Sequence, residues 1–144
     1  MADAAVSVLA APAQRSVSQS SPPRFLWVPV FVYMAFIFTL SSIAQVPQLP
    51  EGGDKDLHAL LYAGLAFVLA RALTGAWRTR LTIGLVLATI AIAGLYGVSD
   101  EIHQYFVPPR QSDVMDVAAD TVGAAIAAVG LYVWSGIIRG RHDL

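Results

Sequence analysis

Four stretches of the chain are rich in apolar residues and carry no charged side chain. They cover residues 25–50, 57–70, 81–99 and 121–138, and they are 26, 14, 19 and 18 residues long. A helix needs about 20 mostly apolar residues to cross a bilayer. The second stretch reaches that length if Lys55 and Arg71 extend their charged ends to the two interfaces. The pattern predicts an all-α integral membrane four-helix bundle, with helices at about 25–44, 55–76, 80–99 and 115–138.

The overall composition favours a membrane protein and excludes several other classes. Hydrophobic residues make up 56% of the chain and charged residues 13%, against about 25% charged residues in a soluble domain. A net charge of −1 does not suit nucleic-acid binding. The absence of cysteine excludes disulfides, thiolate metal ligands and a cysteine nucleophile.

The distribution of charge predicts the orientation in the membrane. Seven of the nine basic residues fall on one side, namely Arg15, Arg24, Arg71, Arg78, Arg80, Arg139 and Arg141. Acidic residues dominate the other side, and three tryptophans fall near the basic side: Trp27, Trp77 and Trp134. By the positive-inside rule, both termini are expected in the cytoplasm. Residues 1–24 are predicted to be a disordered cytoplasmic tail, 25–138 the transmembrane domain, and 139–144 a short cytoplasmic tail.

Polar side chains are concentrated in three motifs between the predicted helices. Residues 54–62 read DKxxHxxxY, residues 99–110 read SDExHQxFxPxR, and residues 113–123 read DxxDxxxDxxG. In this order the motifs, together with Ser41 and Ser42, resemble the VanZ-like family of membrane proteins, which is named for a teicoplanin-resistance protein. The resemblance covers about residues 25–138, and Asp120 stands where the family usually has Asn. It implies a multi-pass protein of the bacterial cytoplasmic membrane and does not imply a known reaction.

Helical spacing places three acidic residues on one face of the fourth helix. At about 100° per residue, Asp113, Asp116 and Asp120 fall within about 60° of one another. Lys55, His58 and Tyr62 repeat that spacing on the second helix, which runs in the same direction. We therefore predict three pairs: Lys55 with Asp113, His58 with Asp116, and Tyr62 with Asp120.

Small residues predict where helices approach each other. Gly123 and Ala127 form a small-xxx-small stripe that permits close packing of the fourth helix. Gly94 and Gly97 offer a face for dimerisation, and the oligomeric state stays open.

The motifs are expected to form a cavity open to the extracytoplasmic side, with Arg110 pointing back at the acids. Candidate groups for proton transfer are Glu101, His103 and His58, oriented by Asp100. Candidate substrate-binding residues are Lys55, Arg110, Tyr62, Gln104, Asp113, Asp116 and Asp120. A divalent metal held by His58 and His103 with Asp100, Asp113 and Asp116 is an alternative, although the acids have basic partners nearby and no HExxH motif appears.

Three functions fit these residues. The first is binding or processing of an anionic lipid or lipid-linked envelope precursor, with Lys55 and Arg110 holding phosphate; no segment of the PSGH type found in lipid-phosphate phosphatases is present. The second is a non-catalytic recognition or scaffold module, which the resemblance to a glycopeptide-resistance protein makes plausible. The third, a proton or cation path through Asp120, is disfavoured because no acid continues the route below it.

Overall fold

Four α-helices build the protein, in a computed structural model that describes residues 24–43, 53–75 and 81–140. A short 3-10 helix, Arg24–Trp27, leads into α1 (Val28–Ser41), and α2 (Gly53–Thr74), α3 (Ile83–Tyr105) and α4 (Val114–Gly140) follow. α2, α3 and α4 are each long and apolar enough to cross a membrane, and so is α1 taken together with the 3-10 helix, over Arg24–Ser41. The chain is therefore an all-helical, multi-pass membrane protein, as the charge-free stretches predicted.

Local sequence signals explain several helix ends. Pro29 lies in the first turn of α1, where a backbone N–H would have no partner within the helix, so proline costs no hydrogen bond there. Gly75 follows α2 with φ of 72°. This left-handed backbone conformation ends the helix, and glycine adopts it without the steric strain that a Cβ would cause. The side chain of Thr82 caps α3 by accepting the Leu85 N–H at 3.3 Å.

The prediction for the third helix was wrong at both ends. α3 begins at Ile83 rather than residue 80 and continues to Tyr105 rather than residue 99. Asp100 and Glu101 were taken to end the helix, but both are buried within it, at 3% and 4% exposed. Buried carboxylates that face neighbouring helices do not interrupt a helix, and α3 ends only shortly before Pro108.

Burial follows the membrane pattern rather than that of a soluble domain. Large apolar side chains such as Leu95 and Ile126 are 71% and 68% exposed, whereas Asp120 is fully buried. The exposed surface is thus apolar enough to face lipid tails, while the interior encloses polar residues such as Asp120 as well as apolar ones such as Leu65.

Glycines set the closest helix contacts. A side chain at Gly123 would meet the backbone of Ala59, with its Cβ 2.6 Å from the Ala59 carbonyl carbon, so α2 and α4 touch here as the stripe predicted. The dimerisation face predicted at Gly94 and Gly97 is wrong, because these glycines pack against Thr121 and Asp120 of α4.

Several predictions fall outside the described residues. They concern residues 1–23 of the predicted tail, the connections that contain Glu51, Trp77, Arg78 and Arg80, and Arg141. The orientation of the termini stays a prediction.

Candidate functional site

Polar side chains from three helices meet at one end of the bundle, where α2 and α4 begin and α3 ends. We call this group the polar cluster; it comprises Lys55, His58, Tyr62, Asp100, Glu101, Gln104, Asp113, Asp116 and Asp120. All except Lys55 and Asp113 are at most 7% exposed. Such burial of ionisable groups is costly unless each is paired or bound.

Lys55 links α2 to the start of α4. Its Nζ lies 3.0 Å from Asp113 Oδ2 and 3.4 Å from Asp116 Oδ1, which confirms the predicted pair with Asp113. Asp113 also caps α4, because its Oδ1 accepts the Met115 N–H at 2.9 Å. The backbone hydrogen bond and the ammonium of Lys55 together lower the pKa of Asp113.

His58 pairs deeper in the bundle than predicted. Its Nδ1 lies 3.0 Å from Asp120 Oδ1, whereas its Nε2 lies 4.0 Å from Asp116 Oδ2, beyond hydrogen-bond distance. Because an ionised carboxylate can only accept a hydrogen bond, the contact with Asp120 assigns the imidazole proton to Nδ1. The sequence predicted that His58 lies near Asp116 and Tyr62 near Asp120. His58 does lie beside Asp116, but its hydrogen bond goes to Asp120, and the Tyr62 hydroxyl has no hydrogen-bond partner among the described residues.

Arg110 reaches the acids only through an amide. Its Nε and one terminal nitrogen donate to Gln104 Oε1 at 3.1 and 2.7 Å, and Gln104 Nε2 donates to Asp100 Oδ2 at 3.3 Å. Arg110 was expected to point back at the acids, and it approaches Asp100 through Gln104; within the described ranges it makes no ion pair. Its positive charge stays uncompensated by a contacting carboxylate.

The last predicted proton-transfer groups lie in different surroundings. Glu101 Oε2 accepts the Asp113 N–H at 2.8 Å and so ties the end of α3 to the start of α4. His103 faces α1 instead: its ring stacks on Phe38 with centroids 4.2 Å apart, and its Nε2 lies 2.9 Å from Ser42 Oγ. The structure thus separates His103 from the hydrogen bonds of the polar cluster. No property of the motif spacing indicated the contact with Phe38.

Several buried oxygens of the polar cluster have no hydrogen-bond partner among the residues that the structure describes. They are Tyr62 Oη, Asp100 Oδ1, Glu101 Oε1 and Asp120 Oδ2. Most buried polar groups in proteins are paired. Three unpaired carboxylate oxygens in one cluster suit a bound cation, proton or hydrogen-bond donor.

A cavity of about 180 Å³ lies against the polar cluster, between α1, α2 and α3. Its polar lining includes Asp54, His58, Tyr62, Asp100, Gln104 and Arg110. Its apolar lining includes Ile37, Leu40, Leu57 and Leu61. The cavity therefore combines charged and polar side chains with hydrocarbon-like ones.

The metal-binding set given as an alternative by the sequence is assembled only in part: His58 and Asp116 lie together, whereas His103 faces α1. In the described part of the chain, the group with metal-ligand spacing is Asp54, His58 and Asp116, whose ligand atoms all lie within 4.8 Å of one another. Asp54 was missed as a site residue. Its position four residues before His58, on the same helix face, was the signal that could have identified it.

Comparison with known proteins gives one finding. A family model described as VanZ/LLP1 matches residues 5–135. No match to a curated protein or to a solved structure reaches significance.

Proposed function

The chain belongs to the VanZ/LLP1 family, and from this and the geometry of the polar cluster we propose that it binds the anionic head group of a lipid or of a lipid-linked cell-envelope precursor. The head group would occupy the cavity between α1, α2 and α3. The apolar tail would lie along α1 and α2. The observation that carries this proposal is the position of Arg110.

Arg110 is the cation best placed to receive an anion. Its guanidinium lines the cavity and hydrogen-bonds only to the neutral side chain of Gln104 within the described ranges. A guanidinium presents five N–H donors in a planar fork that matches phosphate. The two bonds to Gln104 use two of them, so three N–H groups on the two terminal nitrogens remain available. Lys55 differs, because two carboxylates already contact its ammonium. Arg110 is thus proposed as the main phosphate contact and Lys55 as a secondary one.

The apolar lining of the cavity supports an amphiphilic ligand. Ile37 and Leu40 of α1 and Leu57 and Leu61 of α2 all line it. Apolar surface of this kind contributes roughly 25 cal/mol per Å² when a hydrocarbon chain covers it. A free phosphate ion would gain none of this energy, so a lipid-attached phosphate is the favoured ligand.

We place this end of the bundle on the extracytoplasmic side of the bacterial cytoplasmic membrane. Among described residues, Arg24 and Arg71 lie toward the opposite end, where α1 begins and α2 ends. Basic residues favour the cytoplasmic side. A role in glycopeptide resistance, which the family name implies, would follow if the ligand is an envelope precursor.

The binding proposal is tested by native mass spectrometry of the full chain in detergent. The probes are undecaprenyl phosphate, phosphatidylglycerol, phosphatidylcholine and inorganic phosphate. We expect a 1:1 adduct with one or both anionic lipids and a much weaker one with phosphatidylcholine or inorganic phosphate. Arg110→Gln should weaken the anionic adduct by at least about tenfold, since a charge-assisted hydrogen bond contributes about 1.5–3 kcal/mol.

Arg24→Gln is the matched control, because it removes the same charge from an exposed position at the other end of the bundle. It should leave the adduct unchanged. Equal loss in both variants would indicate a diffuse effect of net charge, and the absence of any anionic adduct would refute the proposal.

The orientation has its own test. The chain has no cysteine, so single cysteines can be labelled without background. Gln111→Cys, exposed between α3 and α4, should react with an impermeant maleimide in intact cells, whereas a cysteine added after Leu144 should react only after lysis. The reverse labelling pattern would overturn the placement.

A further inference from the structure

Three ligand atoms converge where α2 and α4 begin. One oxygen from Asp54, one nitrogen from His58 and one oxygen from Asp116 lie within 4.8 Å of one another. We propose that these side chains bind a divalent first-row transition-metal ion, of which Zn²⁺ and Mn²⁺ are the expected examples. This inference stands apart from the lipid proposal, because it needs neither Arg110 nor the apolar lining.

The geometry of His58 supports the proposal. Its Nδ1 is held by Asp120 Oδ1 at 3.0 Å, so Nε2 keeps its lone pair free for a metal. The distance of 4.0 Å between Nε2 and Asp116 Oδ2 is too long for a hydrogen bond. Two ligand atoms about 2.1 Å from one tetrahedral ion are about 3.4 Å apart. The three side chains would therefore need to move together by only a small distance to contact one ion.

Asp120 completes a recognised arrangement around a metal-bound imidazole. Metal-ligating histidines usually donate their other N–H to a carboxylate, which fixes the ring and makes it a better ligand. Asp120 is fully buried and does this for His58. It is a positioning residue in this proposal and does not contact the ion.

A second observation indicates that something is bound on the cavity side. Tyr62 and Asp100 line the cavity together with Asp54 and His58. They are 0% and 3% exposed, and Tyr62 Oη and Asp100 Oδ1 have no partner among the described residues. Three protein ligands leave coordination positions for water. A metal-bound water in the cavity would supply a donor for Asp100 and an acceptor for Tyr62.

Charge favours a divalent ion here. The acids at this end of the bundle outnumber the positively charged Lys55 and Arg110; they are Asp54, Asp100, Glu101, Asp113, Asp116 and Asp120. The donor set then selects the metal. Mg²⁺ and Ca²⁺ prefer all-oxygen sites, whereas imidazole with carboxylates suits Zn²⁺ and Mn²⁺.

The test measures metal binding by the purified full chain in detergent, after chelation and buffer exchange. Equilibrium dialysis against Zn²⁺ or Mn²⁺, read by elemental analysis, should give one ion per chain. Asp54→Asn should weaken binding by at least about tenfold, the loss typical even of residues that only support a ligand. Asp54 is exposed, so this change is compatible with a folded chain.

Asp56→Asn is the matched control, since Asp56 is exposed on the same helix and lies outside the ligand group. It should bind metal like the unchanged chain. Equal affinity in the two variants, or no stoichiometric ion in the unchanged chain, would overturn the proposal. X-ray absorption of the zinc-loaded protein should show one imidazole nitrogen, which His58→Gln removes; a nitrogen-free shell would also overturn it.

The two proposals can fail separately. Arg110→Gln should weaken the anionic lipid adducts and leave the stoichiometry of metal binding unchanged. Loss of metal binding in Arg110→Gln would contradict the assignment of the ion to Asp54, His58 and Asp116.

Discussion

A single methyl group placed between α2 and α4 tests whether these helices pack as described. In Gly123→Ala the new Cβ would lie 2.6 Å from the carbonyl carbon and 2.7 Å from the Cα of Ala59. The optimal van der Waals separation of two carbon atoms is about 3.5–4.0 Å, so the two backbones must separate by roughly 1 Å. Neither backbone can turn aside as a flexible side chain could.

Gly130→Ala isolates the packing cost. Gly130 lies in the same helix, and a Cβ there would meet nothing within 4 Å. Both changes gain about 1 kcal/mol in helix propensity, so the difference between them reports the clash. Overpacking costs typically about 1–3 kcal/mol, and the upper half of that range is expected where backbone meets backbone.

Thermal unfolding in detergent, followed by tryptophan fluorescence, measures the difference. For a chain of this size, 1 kcal/mol corresponds to about 2–4 °C, so Gly123→Ala should melt about 4–12 °C below Gly130→Ala. Equal melting temperatures would refute the close approach of Gly123 to Ala59. They would also undermine the side-chain pairs on either side of this contact.

Three smaller predictions use the same melting assay. Thr82→Ala removes the side-chain acceptor of the Leu85 N–H and should cost about 1 kcal/mol, whereas Thr82→Ser should not. Tyr96→Phe removes the hydroxyl that donates to the Met34 carbonyl at 2.7 Å and should cost about 0.5–1.5 kcal/mol by loosening α1; an unchanged melting point would contradict that contact. Asp113→Asn keeps a helix-capping side chain but removes the charge. Hydrogen bonds from a backbone N–H and then from the neighbouring lysine lower the pKa of Asp113 below 3.8, so its charge stabilises the fold at neutral pH. That advantage over Asp113→Asn should shrink as the pH falls below 3.8 and through the lowered pKa; a gap that does not shrink over this range would contradict this.

The charge-free stretches predicted the helices because the bilayer imposes their length and composition. The end of α3 was predicted wrongly because the charged residues Asp100 and Glu101 were assumed to lie at the membrane–water interface, beyond the helix. Asp100 and Glu101 are instead buried, where Gln104 Nε2 donates to Asp100 and the backbone N–H of Asp113 donates to Glu101. Only tertiary contacts distinguish a buried charge from one at an interface.

The polar face of each helix and the Lys55–Asp113 pair were predictable, but the hydrogen bond of His58 to Asp120 was not. Spacing groups His58 with Lys55 and Tyr62, and it says nothing of the axial offset between two helices. That offset is fixed where Gly123 contacts Ala59. The bridging role of Gln104 was also missed. Its amide oxygen accepts from Arg110 while its amide nitrogen donates to Asp100.

The cavity as a lipid site is tested most directly by photo-crosslinking in the membrane. A phosphatidylglycerol analogue with a diazirine near its head group would be activated in reconstituted vesicles and its adducts mapped by mass spectrometry. We predict adducts at Leu40, Leu57 and Leu61, suppressed by undecaprenyl phosphate and by Arg110→Gln. Adducts spread evenly over lipid-facing residues such as Leu87 and Ile126, with no effect of either competitor or variant, would contradict the account.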